Sequence, residues 1–149
     1  MYEQWRAIHN LTRWLVLISA GAALFAVYRG FWQQRVFGVL ERRLGLLFTI
    51  VYGVQIVLGL VLYGLSPYGI RALRVLMVVP ERNTELAFFG AYHLLVMLVS
   101  FVPVQLGYSL AKRPNESRRK YIYAMAGYTL GTLGILVAIP WWRPWLRLF

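Results

Sequence analysis

Residues 44–65 of the chain read LGLLFTIVYGVQIVLGLVLYGL, a run without a single charged side chain. A helix rises about 1.5 Å per residue, so a run of this length covers the ~30 Å of hydrocarbon in a bilayer. Three further stretches are similarly apolar, which gives predicted spans at residues 8–29, 44–65, 86–111 and 121–139. The sequence therefore predicts an all-α integral membrane bundle of four transmembrane helices, forming a single domain over residues 1–149.

A short fifth element is predicted between spans two and three. Ser66-Pro67-Tyr68-Gly69 ends the second span, because proline and glycine in this pattern form turns. The segment from Ile70 to Val79 is apolar with two arginines, and it is too short to cross a bilayer. We therefore expect a short interfacial helix there, with a re-entrant segment as the alternative.

The composition excludes several classes of protein. The net charge of +11 is spread over the borders of the spans and does not form one basic face, so lipid headgroups are the expected partners of this charge and nucleic acid is not. The chain has no cysteine, which excludes disulfides, iron–sulfur clusters, thiolate-ligated haem and covalently attached haem. A b-type haem held by histidines remains open.

The basic residues also predict an orientation. Nine lie in the loops between spans one and two and between spans three and four: Arg29, Arg35, Arg42, Arg43, Lys112, Arg113, Arg118, Arg119 and Lys120. The other side of the membrane holds the remaining seven. Because cytoplasmic loops carry an excess of lysine and arginine, both termini are predicted to lie outside.

The chain has only two histidines, His9 and His93. Spans one and three begin on the same side and run in the same direction, so the two imidazoles should lie at similar depth. We therefore predict that His9 and His93 hold one b-type haem as its axial metal ligands. Arg13 follows His9 by four residues and shares its helix face, where it is placed to pair with a haem propionate. Met97 bears the same relation to His93, as a packing group or replacement ligand.

A structural interpretation of these residues stays open beside the haem. An interfacial histidine also bonds headgroups, water or backbone carbonyls, and Arg13 is long enough to reach the membrane surface. Gln55 and Gln105 are predicted to bond other helices, with a quinone contact as the functional alternative.

Catalytic groups are scarce in the chain. The five acidic residues are predicted to lie near span ends or in loops, namely Glu3, Glu41, Glu81, Glu85 and Glu116, which argues against a proton pump. No phosphate loop or serine nucleophile motif is present, so a stand-alone enzyme is not expected.

The chain resembles the small four-helix bacterial membrane proteins of cytochrome b type that are frequent in Bacteroidetes. The first span of that family opens with His-x-x-x-Arg-Trp, matched by His9, Arg13 and Trp14. The second carries Gln-x-x-x-Gly-Leu-x-Leu-Tyr before Ser-Pro, matched by residues 55–63 and 66–67. The third begins with a histidine, here His93, and the tail reads Ile-Pro-Trp, here residues 139–141.

The resemblance implies an electron-carrying cytochrome b in the bacterial inner membrane. One position departs from the family, because members often have a histidine two residues before the glutamine, where this chain has Gly53. A haem that needs that ligand does not bind here, whereas a haem between His9 and His93 still does. The alternative is a cofactor-free accessory subunit that assembles with other membrane subunits of a respiratory or photosynthetic complex.

Overall fold

The computed structural model describes residues 2–78 and 84–142, with side chains for all of them except 75–78 and 84. All regular structure in these residues is helical. Helix α1 is Tyr2–Trp32, α2 is Val39–Leu65, α3 is Ile70–Val78 and α4 is Thr84–Ala87. A π-helical turn at Phe88–Tyr92 joins α4 to α5, His93–Ala111, and α6 is Ser117–Ala138. The predicted all-α fold is confirmed.

Four helices in the described residues are long and apolar enough to cross a membrane: Tyr2–Trp32, Val39–Leu65, Glu85–Ala111 and Ser117–Ala138. Their outward faces carry large apolar side chains that are exposed, among them Leu15, Ile18, Phe25, Val57 and Leu133. A water-facing bundle would place polar residues there. The chain therefore has the architecture of a multi-pass membrane protein whose surface contacts lipid.

The four spans form a closed ring of neighbours. Helix α1 packs against α2 and α6, and α5 packs against the same two helices from the other side. Helices α1 and α5 therefore lie diagonally across the bundle and run in the same direction. The short helix α3 follows α2 in the chain and packs against α4 and the π-helical turn. It lies where the sequence predicts a short helix between spans two and three. The end of its predicted range, Val79, lies outside the described residues.

The helices extend beyond the predicted spans at several ends. Helix α1 begins six residues before the predicted residue 8, and α2 begins at Val39 instead of 44. Polar and charged residues occupy these extra turns, and a hydropathy pattern excludes them although the backbone continues its helical hydrogen bonds. The third span runs through Pro103 without a break in α5, and its irregular turn lies earlier, at Phe88–Tyr92.

Two glycines allow α5 and α6 to meet backbone to backbone. A Cβ atom on Gly127 would lie 2.7 Å from the Cα of Gly107 and still closer to the carbonyl oxygen of Pro103. Gly131 lies one turn later on α6, at the same interface with α5. A Cβ atom there would lie 3.0 Å from the carbonyl oxygen of Ser100. Gly127 and Gly131 therefore serve the packing of α5 on α6 within the bundle.

One carboxylate is buried inside the bundle. Glu41 lies in the first turn of α2 and is only 7% exposed. Its Oε2 accepts a hydrogen bond from the backbone N–H of Gly38 at 2.9 Å, and its Oε1 accepts one from the Tyr121 hydroxyl at 3.2 Å. Glu41 thus lies near the end of its span, as predicted, and it is buried there because the helix N-terminus and the tyrosine together satisfy its oxygens.

Candidate functional site

The two histidines meet across the bundle axis. The ring centres of His9 on α1 and His93 on α5 are 6.4 Å apart, and their planes are inclined by 74°. The helices that carry them are diagonal neighbours that run in parallel, so the two side chains reach the same depth from opposite corners. The predicted pairing of His9 with His93 is thus present as a geometric arrangement.

The π-helical turn sets the direction of His93. A π turn adds one residue to the helical repeat and frees a backbone carbonyl from its usual partner. The Tyr63 hydroxyl donates a hydrogen bond to the carbonyl of Gly90 in this turn at 2.7 Å. Phe88 and Phe89 lie with their ring centres 5.7 and 6.0 Å from that of His93. Helix α2 therefore ties down the turn, and aromatic rings support the histidine that follows it.

The imidazole of His93 is also fixed from α6. Its Nδ1 donates a hydrogen bond to the carbonyl oxygen of Ala138 at 2.8 Å. A carbonyl oxygen accepts only, so this bond places the proton on Nδ1 and leaves the lone pair on Nε2. This arrangement is the one that metal-binding histidines adopt when a backbone carbonyl orients them.

The surroundings of His9 are different. The Gln55 side chain on α2 accepts a hydrogen bond from the Thr12 hydroxyl through Oε1 and donates one from Nε2 to the His9 carbonyl at 2.9 Å. The same Nε2 lies 3.4 Å from the His9 Nε2. The His9 Nδ1 is buried and has no hydrogen-bond partner. The prediction that Gln55 bonds another helix is confirmed, and the bond holds the backbone of the very turn that carries His9.

A cavity of about 170 Å³ surrounds the two rings. His9, His93, Arg13, Gln55, Gly59 and Met97 all line it. Gly59 leaves room for the His9 ring, because a Cβ at that position would lie 3.3 Å from the Cε1 of His9. The cavity brings the three predicted site residues, His9, His93 and Arg13, to one place.

The charge around the cavity is positive. Arg6 and Arg13 both line it, and Arg6 forms an ion pair with Glu3. The Arg13 guanidinium lies 5.5 Å from the ring centre of Trp14, the next residue, and the side chain is partly buried. Cations at the edge of an apolar cavity favour a ligand with acidic groups on one side.

The donor set limits which metal centre the site could hold. Within residues 2–78 and 84–142, no group of three or more histidine, cysteine or carboxylate side chains is close enough to hold a metal ion. Two imidazoles alone leave a bare zinc or iron ion short of ligands. A metal that brings its own equatorial nitrogens needs only two axial partners, which is the number of imidazoles that line the cavity.

Sequence reasoning missed two residues of the site, Tyr52 and Ala138. Tyr52 donates a hydrogen bond from its hydroxyl to the Met97 carbonyl at 2.9 Å and lies 3.6 Å from the Met97 sulfur. Ala138 contributes only a backbone atom, for which a sequence carries no signal.

Gln105 lies on the exposed surface of α5, so the prediction that it bonds another helix is wrong. The run of small and apolar residues on both sides of Gln105 gave no indication of which face the helix turns inward.

No protein-family model, no curated protein and no solved structure matches the chain.

Proposed function

We propose that the chain is a small membrane cytochrome b that holds one b-type haem between His9 and His93 and carries electrons within a membrane energy-transducing complex. The observation that carries this proposal is the 6.4 Å between the two ring centres. A ligating imidazole nitrogen lies about 2 Å from its metal and the ring centre about 1.1 Å beyond, so two axial imidazoles on one iron have centres roughly 6.2–6.4 Å apart.

The side chains around the pair support the same centre. His93 is oriented through Nδ1, which leaves its Nε2 available to a metal, and His9 lines the same cavity. Arg13 supplies a cation for a carboxylate on the bound group. When bound, haem supplies one-electron redox chemistry. Two neutral imidazoles favour a low-spin, six-coordinate iron, which suits electron transfer better than oxygen binding.

A second candidate follows from the size of the cavity. Its volume of about 170 Å³ is close to the ~150 Å³ of a protein cavity that holds one benzene molecule, and a porphyrin needs the helices to part further. A quinone head group is a single six-membered ring with carbonyl acceptors. His9, which lines the cavity, is the group that would donate a hydrogen bond to such a carbonyl.

A reduced-minus-oxidised absorption spectrum of the protein purified from its native membrane separates the candidates. We expect one haem per chain with the sharp absorption bands of a low-spin b-type centre. A preparation without haem absorbance but with one extractable quinone per chain would favour the second candidate. Absence of both would overturn the electron-transfer proposal and leave the cofactor-free accessory subunit.

The surface supports placement in a larger assembly. The described residues form almost no structure outside the four spans and the short helices between α2 and α5, so no aqueous domain is present there to dock a soluble donor or acceptor. We expect the protein to migrate with larger membrane subunits on native gels after extraction in mild detergent. A fully stable species at the mass of one chain would contradict this expectation.

Arg13 should influence the redox potential more than the binding of haem. Arg13→Gln removes a positive charge beside the site, and a positive charge favours the reduced state of the iron. We expect haem to remain bound and its potential to fall, by up to about tenfold in the redox equilibrium or ~59 mV for one electron. Arg29→Gln, at the far end of α1, is the matched control and should leave the potential unchanged. Equal potentials in both variants would show that Arg13 does not face the bound group.

A further inference from the structure

We propose that the chain segment at the end of α6, residues 138–141, is a positioning element that holds His93 as the stronger of the two axial ligands. The consequence for the redox potential rests on the proposed haem function, whereas the positioning of the imidazole does not. The segment includes the Ile-Pro-Trp tail, and its contacts account for Pro140 and Trp141.

Pro140 creates the gap that shapes the end of the helix. In an α-helix the carbonyl of Leu136 would accept the N–H of residue 140, and proline has no N–H to give. The indole Nε1 of Trp141 fills this position and donates to the Leu136 carbonyl at 2.8 Å. The Trp141 backbone N–H donates a hydrogen bond to the carbonyl of Ile139 at 2.9 Å. Together these bonds end the helix at Ala138.

Ending the helix there leaves the carbonyl of Ala138 without a helical donor. Residue 142 would supply its N–H if α6 continued for another turn. Instead the His93 Nδ1 donates to this oxygen at 2.8 Å, at a residue whose side chain is fully buried. A buried carbonyl without a partner is costly, so the imidazole and the helix end stabilise each other.

Aromatic packing holds the tail against the third span. The ring of Trp142 meets that of Phe88 edge to face, with ring centres 4.7 Å apart. Phe88 in turn lies against His93. The segment is therefore anchored to the same π-helical turn that directs the histidine, which keeps the acceptor carbonyl and the imidazole in one rigid unit.

His9 has no such support. Its Nδ1 lacks an acceptor, and Gln55 approaches its Nε2 from the side of α2. A hydrogen bond from Nδ1 to a carbonyl raises the basicity of the opposite nitrogen, so His93 donates more strongly to a bound iron than His9 does. The two axial positions are chemically unequal although both are histidines.

Two variants test the element. Pro140→Ala restores an N–H for Leu136 and allows α6 to continue, so that residue 142 competes for the Ala138 carbonyl. Trp141→Phe keeps the ring but removes the indole N–H. A weaker His93 ligand stabilises the oxidised iron less, so we expect both variants to raise the potential, by about tenfold in the redox equilibrium or ~59 mV. Haem affinity should fall about 10–100-fold. Trp32→Phe, an exposed tryptophan at the far end of α1, is the control and should change neither quantity.

A second measurement does not require haem. In the haem-free protein, the ¹⁵N spectrum of His93 should show a protonated Nδ1 and an unprotonated Nε2, and Pro140→Ala should convert this into a mixture of tautomers. A wild-type His93 protonated on Nε2 would overturn the positioning role. Unchanged tautomer and potential in both tail variants would do the same. A wild-type protein with the expected tautomer but no haem would refute the cytochrome function and leave the positioning of His93 intact.

Discussion

His93→Ala is expected to abolish the low-spin haem spectrum. The variant removes both the ligand nitrogen and the hydrogen bond to Ala138, and the chain has no third histidine and no cysteine to replace it. His9→Ala should have the same spectroscopic result, because a bis-imidazole centre needs both rings. Haem content and the absorption spectrum of each purified variant, at equal protein concentration, are the measurements.

The control lies on the same span. Gln105→Ala changes an exposed side chain on α5 and should retain a wild-type spectrum. A low-spin spectrum that survives in His93→Ala would refute the ligand assignment and direct attention to Met97, which lines the cavity one turn further along. The double variant His93→Ala with Met97→Leu would then lose the signal.

The meeting of His9 and His93 was predictable because it follows from topology. Two spans that start on the same side run in parallel, and residues at matching distances from their starts reach matching depths. Hydropathy predicts the shared direction, but its span starts at residues 8 and 86 leave the two histidines at unequal distances. The observed helices begin at Tyr2 and Glu85, which places His9 and His93 at nearly equal distances from the starts. Gln55 was predictable for a related reason, since an amide in hydrocarbon needs a partner on another helix.

Other features were out of reach because hydropathy does not encode them. Gln105 obeys the same rule as Gln55 in the sequence, yet it faces outward, since the rotation of α5 depends on the extra residue of the π-helical turn at Phe88–Tyr92. Glu41 is buried because Tyr121, far away in the chain, reaches it. The acceptor of His93 is a backbone oxygen, which any residue at position 138 would supply.

Gly127→Ala is expected to destabilise the bundle by roughly 1–3 kcal/mol or more, because overpacking against a rigid neighbour forces the structure to shift. The added Cβ would meet the carbonyl oxygen of Pro103 and, at 2.7 Å, the Cα of Gly107. Both are backbone atoms of a packed helix, so no change of rotamer can relieve the clash.

Gly21→Ala is the matched control: a Cβ there meets nothing within 4 Å, and alanine is favoured over glycine in a helix by about 1 kcal/mol. Unfolding in a detergent titration, followed by circular dichroism, should show Gly21→Ala at or above wild-type stability and Gly127→Ala well below it. Equal stability of the two variants would mean that α5 and α6 do not approach this closely. Because the contact between Gly107 and Gly127 lies away from the histidines, the folded fraction of Gly127→Ala should keep the wild-type ligand spectrum. This outcome would separate the packing of α5 on α6 from the chemistry at the other end of the same two helices.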